Sequence, residues 1–133
     1  MVVRDGANQS VILDCNYTLA RSDKLFHVKW FHVHSDYSQV YQWILDMSPQ
    51  SSGPLKNKVN LTYRASEDAN ERYRALQILR PTVNLSGDYL CRATSQHSNT
   101  ELKQKLIVYG ELSGRSVCVM CSSNGYHTHI IQK

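Results

Sequence analysis

Short runs of alternating apolar and polar residues recur along the chain, separated by stretches that are rich in turn-forming residues. The clearest run is Leu25–Val33, where Phe26, Val28 and Trp30 are predicted to share one face. Side chains of a β-strand alternate between its two faces, so this pattern is typical of a half-buried strand. Several short strands at such regular spacing predict an all-β sandwich or barrel.

Six other segments carry similar patterns, and strands are predicted over residues 10–16, 39–45, 58–64, 72–79, 87–94 and 101–109. In segment 58–64, Val59, Leu61 and Tyr63 are expected to point inward. Good helix formers cluster in segment 67–79, so a helix is the open alternative there. The segment ends near Pro81 and contains the alternation Tyr73-x-Ala75-x-Gln77-x-Leu79, and together these favour the strand.

Four residues give the fold prediction its specificity. Cys15 ends one predicted strand, Trp30 lies on the next, and Tyr89 precedes Cys91 by two positions. In an immunoglobulin sandwich the two cysteines bridge the facing sheets, the indole packs on the bridge, and this tyrosine bonds back to the backbone upstream. We therefore predict an all-β, immunoglobulin variable-type Greek-key β-sandwich with one inter-sheet disulfide, Cys15–Cys91, and with Trp30 and Tyr89 in the core. The alternative is that both cysteines are buried thiols.

The interval between Trp30 and Cys91 is long enough for the extra edge strands that distinguish the variable type. Three strings carry a closer resemblance: Leu13-Asp-Cys-Asn-Tyr-Thr-Leu19, Leu25-Phe-His-Val-Lys-Trp-Phe31 and Asn84-Leu-Ser-Gly-Asp-Tyr-Leu-Cys91. Over about residues 2–109 the chain resembles the first immunoglobulin domain of arthropod beaten-path-type neuronal recognition proteins. The resemblance implies an extracellular receptor or ligand that recognises another immunoglobulin protein on a neighbouring cell.

One departure from the common variable-domain pattern concerns position 85. Many such domains carry an aspartate six residues before the second cysteine, paired with a basic residue across the sandwich. Here that position is Leu85. Apolar packing is therefore expected in place of the ion pair.

Candidate binding residues follow from the alternation of side chains. If Trp30 and Cys91 point inward, their neighbours in sequence point outward. Aromatic residues and arginine dominate interface hot spots, and the predicted partner-binding residues are Phe31, Tyr37, Tyr41, Trp43 and Arg92. The alternative is that Tyr41 or Trp43 belongs to the core, because sequence alone does not fix the register of this strand. The polar loop 94–100 is a second candidate site.

Charge and motifs exclude several classes of function. The net charge is +4, and the basic residues are scattered without forming a stripe, so no nucleic-acid partner is predicted. No phosphate loop, nucleophile elbow or zinc-protease motif is present, so we predict neither an enzyme nor a bound cofactor or metal. No apolar run approaches the roughly 20 residues that cross a bilayer.

The predicted disulfide requires an oxidising compartment, which places the domain outside the cell. Four Asn-x-Ser/Thr sequons are compatible with that location and mark candidate glycosylation sites at Asn8, Asn16, Asn60 and Asn84. No apolar leader opens the chain. We therefore expect a fragment of a longer secreted or membrane-anchored protein, with any membrane contact made only through a missing downstream segment.

Residues 1–109 are assigned to the immunoglobulin-type domain, and residues 110–133 to a linker followed by a different segment. The preferred interpretation of that segment is the truncated start of a second such domain, around Val117 to Cys121. A disordered tail is one alternative. Others are a redox dithiol and a zinc site formed by Cys118, Cys121, His127 and His129, although the spacing matches no common finger.

These observations predict an extracellular protein-recognition module of the cell-adhesion or axon-guidance type, which binds another immunoglobulin-superfamily protein through its sheet face. The two alternatives are a soluble immune-type domain that captures ligands with its loops, and a structural spacer that contacts only its neighbours in the chain.

Overall fold

The computed structural model describes residues 1–5, 9–33, 36–112, 115–119 and 128–132. This part of the chain is built almost wholly from strands, joined by turns and two short 3-10 segments. The strands are β1 (Val2–Arg4), β2 (Ser10–Leu13), β3 (Leu25–Val33), β4 (Tyr37–Ile44), β5 (Gln50–Ser51), β6 (Leu76–Leu79), β7 (Gly87–Ser95), β8 (Asn99–Leu112), β9 (Arg115–Val119) and β10 (Thr128–Gln132). The described residues include no α-helix, and hence none that could cross a bilayer.

Two sheets form the sandwich. The larger has the strand order β10-β9-β8-β7-β3-β4-β5, with β1 joined in parallel to β8, and the smaller pairs β2 with β6. The chain passes from β2 to β3 in the other sheet, returns to β6 and crosses again to β7. The additional strands β4 and β5 at the edge of the larger sheet are the mark of the variable type. The predicted immunoglobulin variable-type Greek-key sandwich is confirmed.

The predicted disulfide joins Cys15, just after β2, to Cys91 on β7, with their Cα atoms 6.0 Å apart. Trp30 on β3 lies directly opposite Cys91, is fully buried, and donates its indole N–H to the Arg74 carbonyl at 2.9 Å. The buried Tyr89 hydroxyl donates to the Leu85 carbonyl at 2.5 Å, which is the expected bond back to the upstream backbone. Leu85 is itself buried in the core.

Strand β3 has the predicted bounds but carries a bulge that reverses one prediction. In the pairing with β7, Leu25 lies opposite Ser95 and His27 opposite Thr94, so Phe26 is an extra residue. Leu25 therefore fills the core, whereas Phe26 is 48% exposed. The expectation that Phe26 shares the inner face of Val28 and Trp30 is wrong for this reason.

Segment 58–64 does not form the predicted strand. Val59 forms an isolated bridge to Ile78, flanked by backbone hydrogen bonds from Asn60 to Gln77 and from Leu79 to Lys58, and the chain then turns. The Asn60 side-chain oxygen accepts hydrogen bonds from the Thr62 backbone N–H at 3.1 Å and from the Thr62 hydroxyl at 2.8 Å. Such a local side-chain bond offers the backbone an alternative to a sheet ladder. Val59 is buried as expected, whereas Leu61 and Tyr63 are only half-buried.

An ion pair that the sequence did not predict ties the start of segment 72–79 to the smaller sheet. Arg74 contacts both carboxylate oxygens of Asp14, at 2.9 and 3.1 Å. Burial alone would lower the pKa of the Arg74 guanidinium, but the hydrogen bonds and charge of Asp14 raise it overall. The segment adopts turns up to Arg74 and becomes strand only at Leu76, so the helical alternative is not adopted.

The turn into β7 requires glycine at position 87. Gly87 has φ +148°, and a Cβ atom there would lie 2.5 Å from Nε2 of His32. His32 cannot easily retreat, because its ring stacks on Tyr89 and Nε2 lies 3.0 Å from the Ser86 carbonyl.

We expect Gly87→Ala to lower the free energy of unfolding by about 1–3 kcal/mol, since it combines backbone strain with overpacking. Gly53→Ala is the matched control: Gly53 also has positive φ, but its added Cβ would meet only one atom, at 3.4 Å. Urea unfolding of both variants measures the difference. Equal losses in the two variants would contradict the packing role of Gly87.

Strand β8 continues to Leu112, and the backbone of β9 pairs with it from Tyr109 to Leu112. Strand β10 then pairs with β9. These strands cross the predicted boundary at residue 109, and the assignment of 110–133 to a linker and a second domain stays a prediction. Cys121 and His127, two members of the zinc alternative, lie outside the described residues.

Candidate protein-binding face

The outer face of the larger sheet is a grid of four rows across β4, β3, β7 and β8. Residues directly opposite one another in the ladder share a face, and the buried pair Trp30 and Cys91 shows which face points inward. The rows of the outer face are Ile44, His27, Thr94 and Asn99; Gln42, Lys29, Arg92 and Glu101; Gln39, Phe31, Leu90 and Lys103; Tyr37, Val33, Asp88 and Lys105.

The centre of the outer face combines an apolar pair with a stacked cation. Phe31 and Leu90 lie opposite each other, and Leu90 is only 7% exposed although it points away from the core. The Arg92 guanidinium carbon lies 5.2 Å from the centroid of the Phe31 ring, within cation–π range. Glu101 holds the same guanidinium through a 2.9 Å contact to Nε. The positions of the Phe31 ring and the Arg92 guanidinium are therefore fixed by contacts within the domain itself.

Tyr41 and Trp43 do not belong to this face, which corrects the prediction that both contact a partner. Each is 2% exposed. The Tyr41 hydroxyl donates to the Tyr73 carbonyl at 2.6 Å, and the Trp43 ring meets the Tyr73 ring edge-on at 5.7 Å. A bulge explains the change: Trp30 pairs with Tyr41 but Phe31 pairs with Gln39, so Val40 is an extra residue and both Val40 and Tyr41 point inward.

The other three predicted residues do lie on the outer face. Phe31 and Arg92 are half-buried at its centre, and Tyr37 is 63% exposed at the start of β4. Their contact with a partner stays a prediction. Leu90 was not among the predicted residues, although the alternation around Cys91 that points to Arg92 applies equally to the residue on the other side. Alternation along β3 already places Lys29 on the face of Phe31, whereas the row of Lys103 depends on the register of β8.

The second candidate site, loop 94–100, is a tight turn. Strand β7 ends at Ser95 and β8 begins at Asn99. The buried Asp23 carboxylate, just before β3, accepts hydrogen bonds from the Ser95 hydroxyl at 2.6 Å and from the His97 N–H at 3.1 Å. The Ser95 bond is the main reason that the pKa of Asp23 is lowered. Asp23 therefore fixes the conformation of this turn, and the turn is too short to wrap around a ligand.

Three of the four sequons fall within the described residues, and none lies on the outer face. Asn16 is exposed just after Cys15, and Asn84 is exposed in the 3-10 segment before β7. Asn60 is half-buried beside β6, where its side-chain amide donates to Gln77 at 2.8 Å. Asn8 lies outside the described residues. Glycan occupancy at all four stays a prediction.

Within the part of the chain that the structure describes, no group of three or more histidine, cysteine or acidic side chains is placed to hold a metal ion. Two surface cavities, of about 510 and 450 Å³, lie beside the smaller sheet and beside the β4–β5 turn. Neither lies on the outer face. With its apolar centre and charged surround, the outer face offers chemistry suited to a macromolecular partner.

No family model matches the sequence, and no curated protein sequence matches it either. Solved structures do match. A VGSC β subunit, studied for multimeric cell-adhesive interactions, superposes with a TM-score of 0.63 at 12% identity, covering 81% of this chain and 88% of the other. Murine CRIg gives 0.60 at 16% identity, covering 84% and 92%.

Human T-cell immunoglobulin and mucin domain protein 1 gives a TM-score of 0.57 at 18% identity, covering 84% of this chain and 100% of the other. At such low identities the likeness concerns the fold alone. It agrees with the strand order, the bridge between the sheets, and the buried indole beside it. The chain is therefore an immunoglobulin variable-type β-sandwich.

Proposed function

We propose that this chain is an extracellular recognition module that binds another immunoglobulin-type domain through its outer face. The observation that carries the proposal is the pair Phe31 and Leu90 at outward-facing positions in the middle of the larger sheet, with Arg92 stacked on the ring. A sheet face turned only toward water has no need of an apolar centre. Exposed apolar groups rimmed by polar residues mark interaction surfaces.

The arrangement suits the energetics of a protein interface. Hot spots are enriched in aromatic residues and arginine, lie near the centre of an interface, and are surrounded by polar contacts that exclude water. Here Phe31 and Arg92 are central, while Gln39, Gln42 and Lys103 surround them. The Arg92 side chain is already held by Glu101, so little of its conformational entropy is lost on binding.

The positions of the described sequons also support the proposal. We infer that Asn16, Asn60 and Asn84 carry glycans, in keeping with an extracellular or cell-surface location. Bulky sugars at these positions would cover the smaller sheet and the turn before β7, and would leave the outer face open. A partner would then approach from the open side.

Within this class of recognition modules, we propose a role in cell adhesion or axon guidance. Support comes from the motifs around Cys15, Trp30 and Cys91, which resemble those of beaten-path-type neuronal recognition proteins. The VGSC β subunit of similar fold takes part in cell-adhesive interactions. The loop-based alternative is less well supported, because the β7–β8 turn is short and held by Asp23.

An array of purified immunoglobulin-type ectodomains, probed with the multimerised full chain, tests the proposal. We expect Phe31→Ser to abolish binding to the ectodomains that the wild type binds. Leu79→Ser is the matched control, since Leu79 is an exposed apolar residue on the other sheet, and it should bind as the wild type does. Circular dichroism confirms that both variants are folded.

Two outcomes would overturn the proposal. Binding that survives Phe31→Ser but is lost when Gln96, His97 and Ser98 are replaced by glycine would favour the loop-based alternative. If the wild type binds no ectodomain in the array, the result would favour the alternative that the domain is a structural spacer.

A further inference from the structure

The charges of the outer face are distributed unevenly across its strands. Strand β4 contributes no charged residue to the grid, whereas β3, β7 and β8 contribute four cations, Lys29, Arg92, Lys103 and Lys105, and two carboxylates, Asp88 and Glu101. The face is thus neutral along one edge and positive toward the other.

Neither carboxylate is free. Glu101 is bound to Arg92 at 2.9 Å, and Asp88 is engaged in an interaction of its own. Among the described residues, no carboxylate lies within ion-pair distance of Lys29, Lys103 or Lys105. These three ammonium groups are half or fully exposed and remain available to a partner.

A second copy of this chain would not satisfy them. If two outer faces met with β8 of one over β4 of the other, Lys103 and Lys105 would be buried against residues without charge. If β8 met β8 about a two-fold axis at its middle outward position, Lys103 would face Lys103. Covering an ammonium group without a counter-charge is costly, and like charges across an interface suppress pairing.

We propose that the occupant of the outer face is a different immunoglobulin-type ectodomain, whose own face carries carboxylates opposite Lys29, Lys103 and Lys105. This inference rests on the function proposed above and names the chemistry of the partner. The acidic groups accelerate encounter and fix the orientation of docking, while Phe31, which packs beside Leu90, supplies the apolar contact. Such steering acts mainly on the association rate and weakens with salt.

The test uses the full chain and two probes: the ectodomain from the array that the wild type binds most tightly, and the chain itself. We expect Lys103→Glu/Lys105→Glu to lower the association rate constant for the ectodomain at least about tenfold at 50 mM NaCl, with a smaller effect at 300 mM. The control is Lys56→Glu/Lys58→Glu, which changes the net charge equally but away from the outer face. It should alter the rate by less than about threefold. Sedimentation velocity of the wild type alone should show a monomer.

The outcomes separate the two proposals. If Phe31→Ser still binds, the function proposed above fails and this inference fails with it. Phe31→Ser could abolish binding while Lys103→Glu/Lys105→Glu leaves the association rate constant unchanged. That result would overturn only the inference that the partner is acidic. A wild-type dimer that Phe31→Ser dissociates would keep the outer face as the interface and replace the acidic partner by a second copy of the chain.

Discussion

The double variant Cys15→Ala/Cys91→Ala is expected to lose about 2–5 kcal/mol of the free energy of unfolding, the range found when a native disulfide is removed from a small secreted domain. The bridge closes a loop that spans 76 positions of the sequence, so it strongly limits the unfolded ensemble. Among the described residues, the smaller sheet consists of β2 and β6 alone, which makes it dependent on this attachment to β7. Urea unfolding at constant pH measures the loss.

A reducing agent provides the control for this prediction. It acts on every disulfide of the chain, whereas the double variant removes only one. We expect dithiothreitol to lower the unfolding midpoint of the wild type and to leave the midpoint of the double variant unchanged. If dithiothreitol destabilises both proteins equally, the stabilising bridge lies elsewhere and the role assigned to Cys15 and Cys91 is wrong.

Trp43→Ala is expected to cost about 3–5 kcal/mol, the usual penalty for truncating a buried tryptophan, and to leave little folded protein if the domain is of ordinary stability. Trp43 is 2% exposed and lies against Tyr73 in the region where segment 58–64 forms no strand. The ladders from β4 to β3 and β5 would hold the backbone, but the cavity left beneath the strand would remain. Thermal or urea unfolding followed by far-ultraviolet circular dichroism gives the change in stability.

Phe31→Ser is the companion variant, and we expect it to cost only about 1 kcal/mol, because Phe31 is half-buried on the outer face. The difference between the two variants separates a loss of core packing from a loss of partner binding. Loss of binding by the Trp43 variant would report on the fold, whereas loss of binding by a folded Phe31 variant reports on the face. Similar destabilisation by the two changes would mean that Phe31 belongs to the core, and the proposed binding face would lose its centre.

Most of the architecture could be predicted because a few residues impose it. The spacing of Cys15, Trp30, Tyr89 and Cys91 allows one way of linking two sheets around an indole, and the observed bridge follows it. Segment 58–64 could not be predicted in the same way. Its alternation is that of a strand, but the Asn60 side chain competes for the backbone, and this competition depends on geometry that alternation does not show.

The composition of the candidate site was harder to predict than the fold. Phe31 and Arg92 follow from their position beside buried neighbours, which alternation determines locally. The placement of Tyr41 and Trp43 depends on the bulge at Val40, which inserts one residue and shifts the register of β4. A shift of one residue exchanges the two faces of a strand, and sequence patterns do not reveal where it occurs.

The carboxylate of Asp23 limits how the β7–β8 turn can change in evolution. It binds the Ser95 hydroxyl and the His97 N–H, so its geometry fits a turn of this length. Inserting residues would move both donors away and leave a buried anion without its partners. In homologous sequences, longer turns should therefore coincide with replacement of the aspartate by a neutral residue. Diversification of this domain is expected to favour substitutions on the sheet over insertions in the turn.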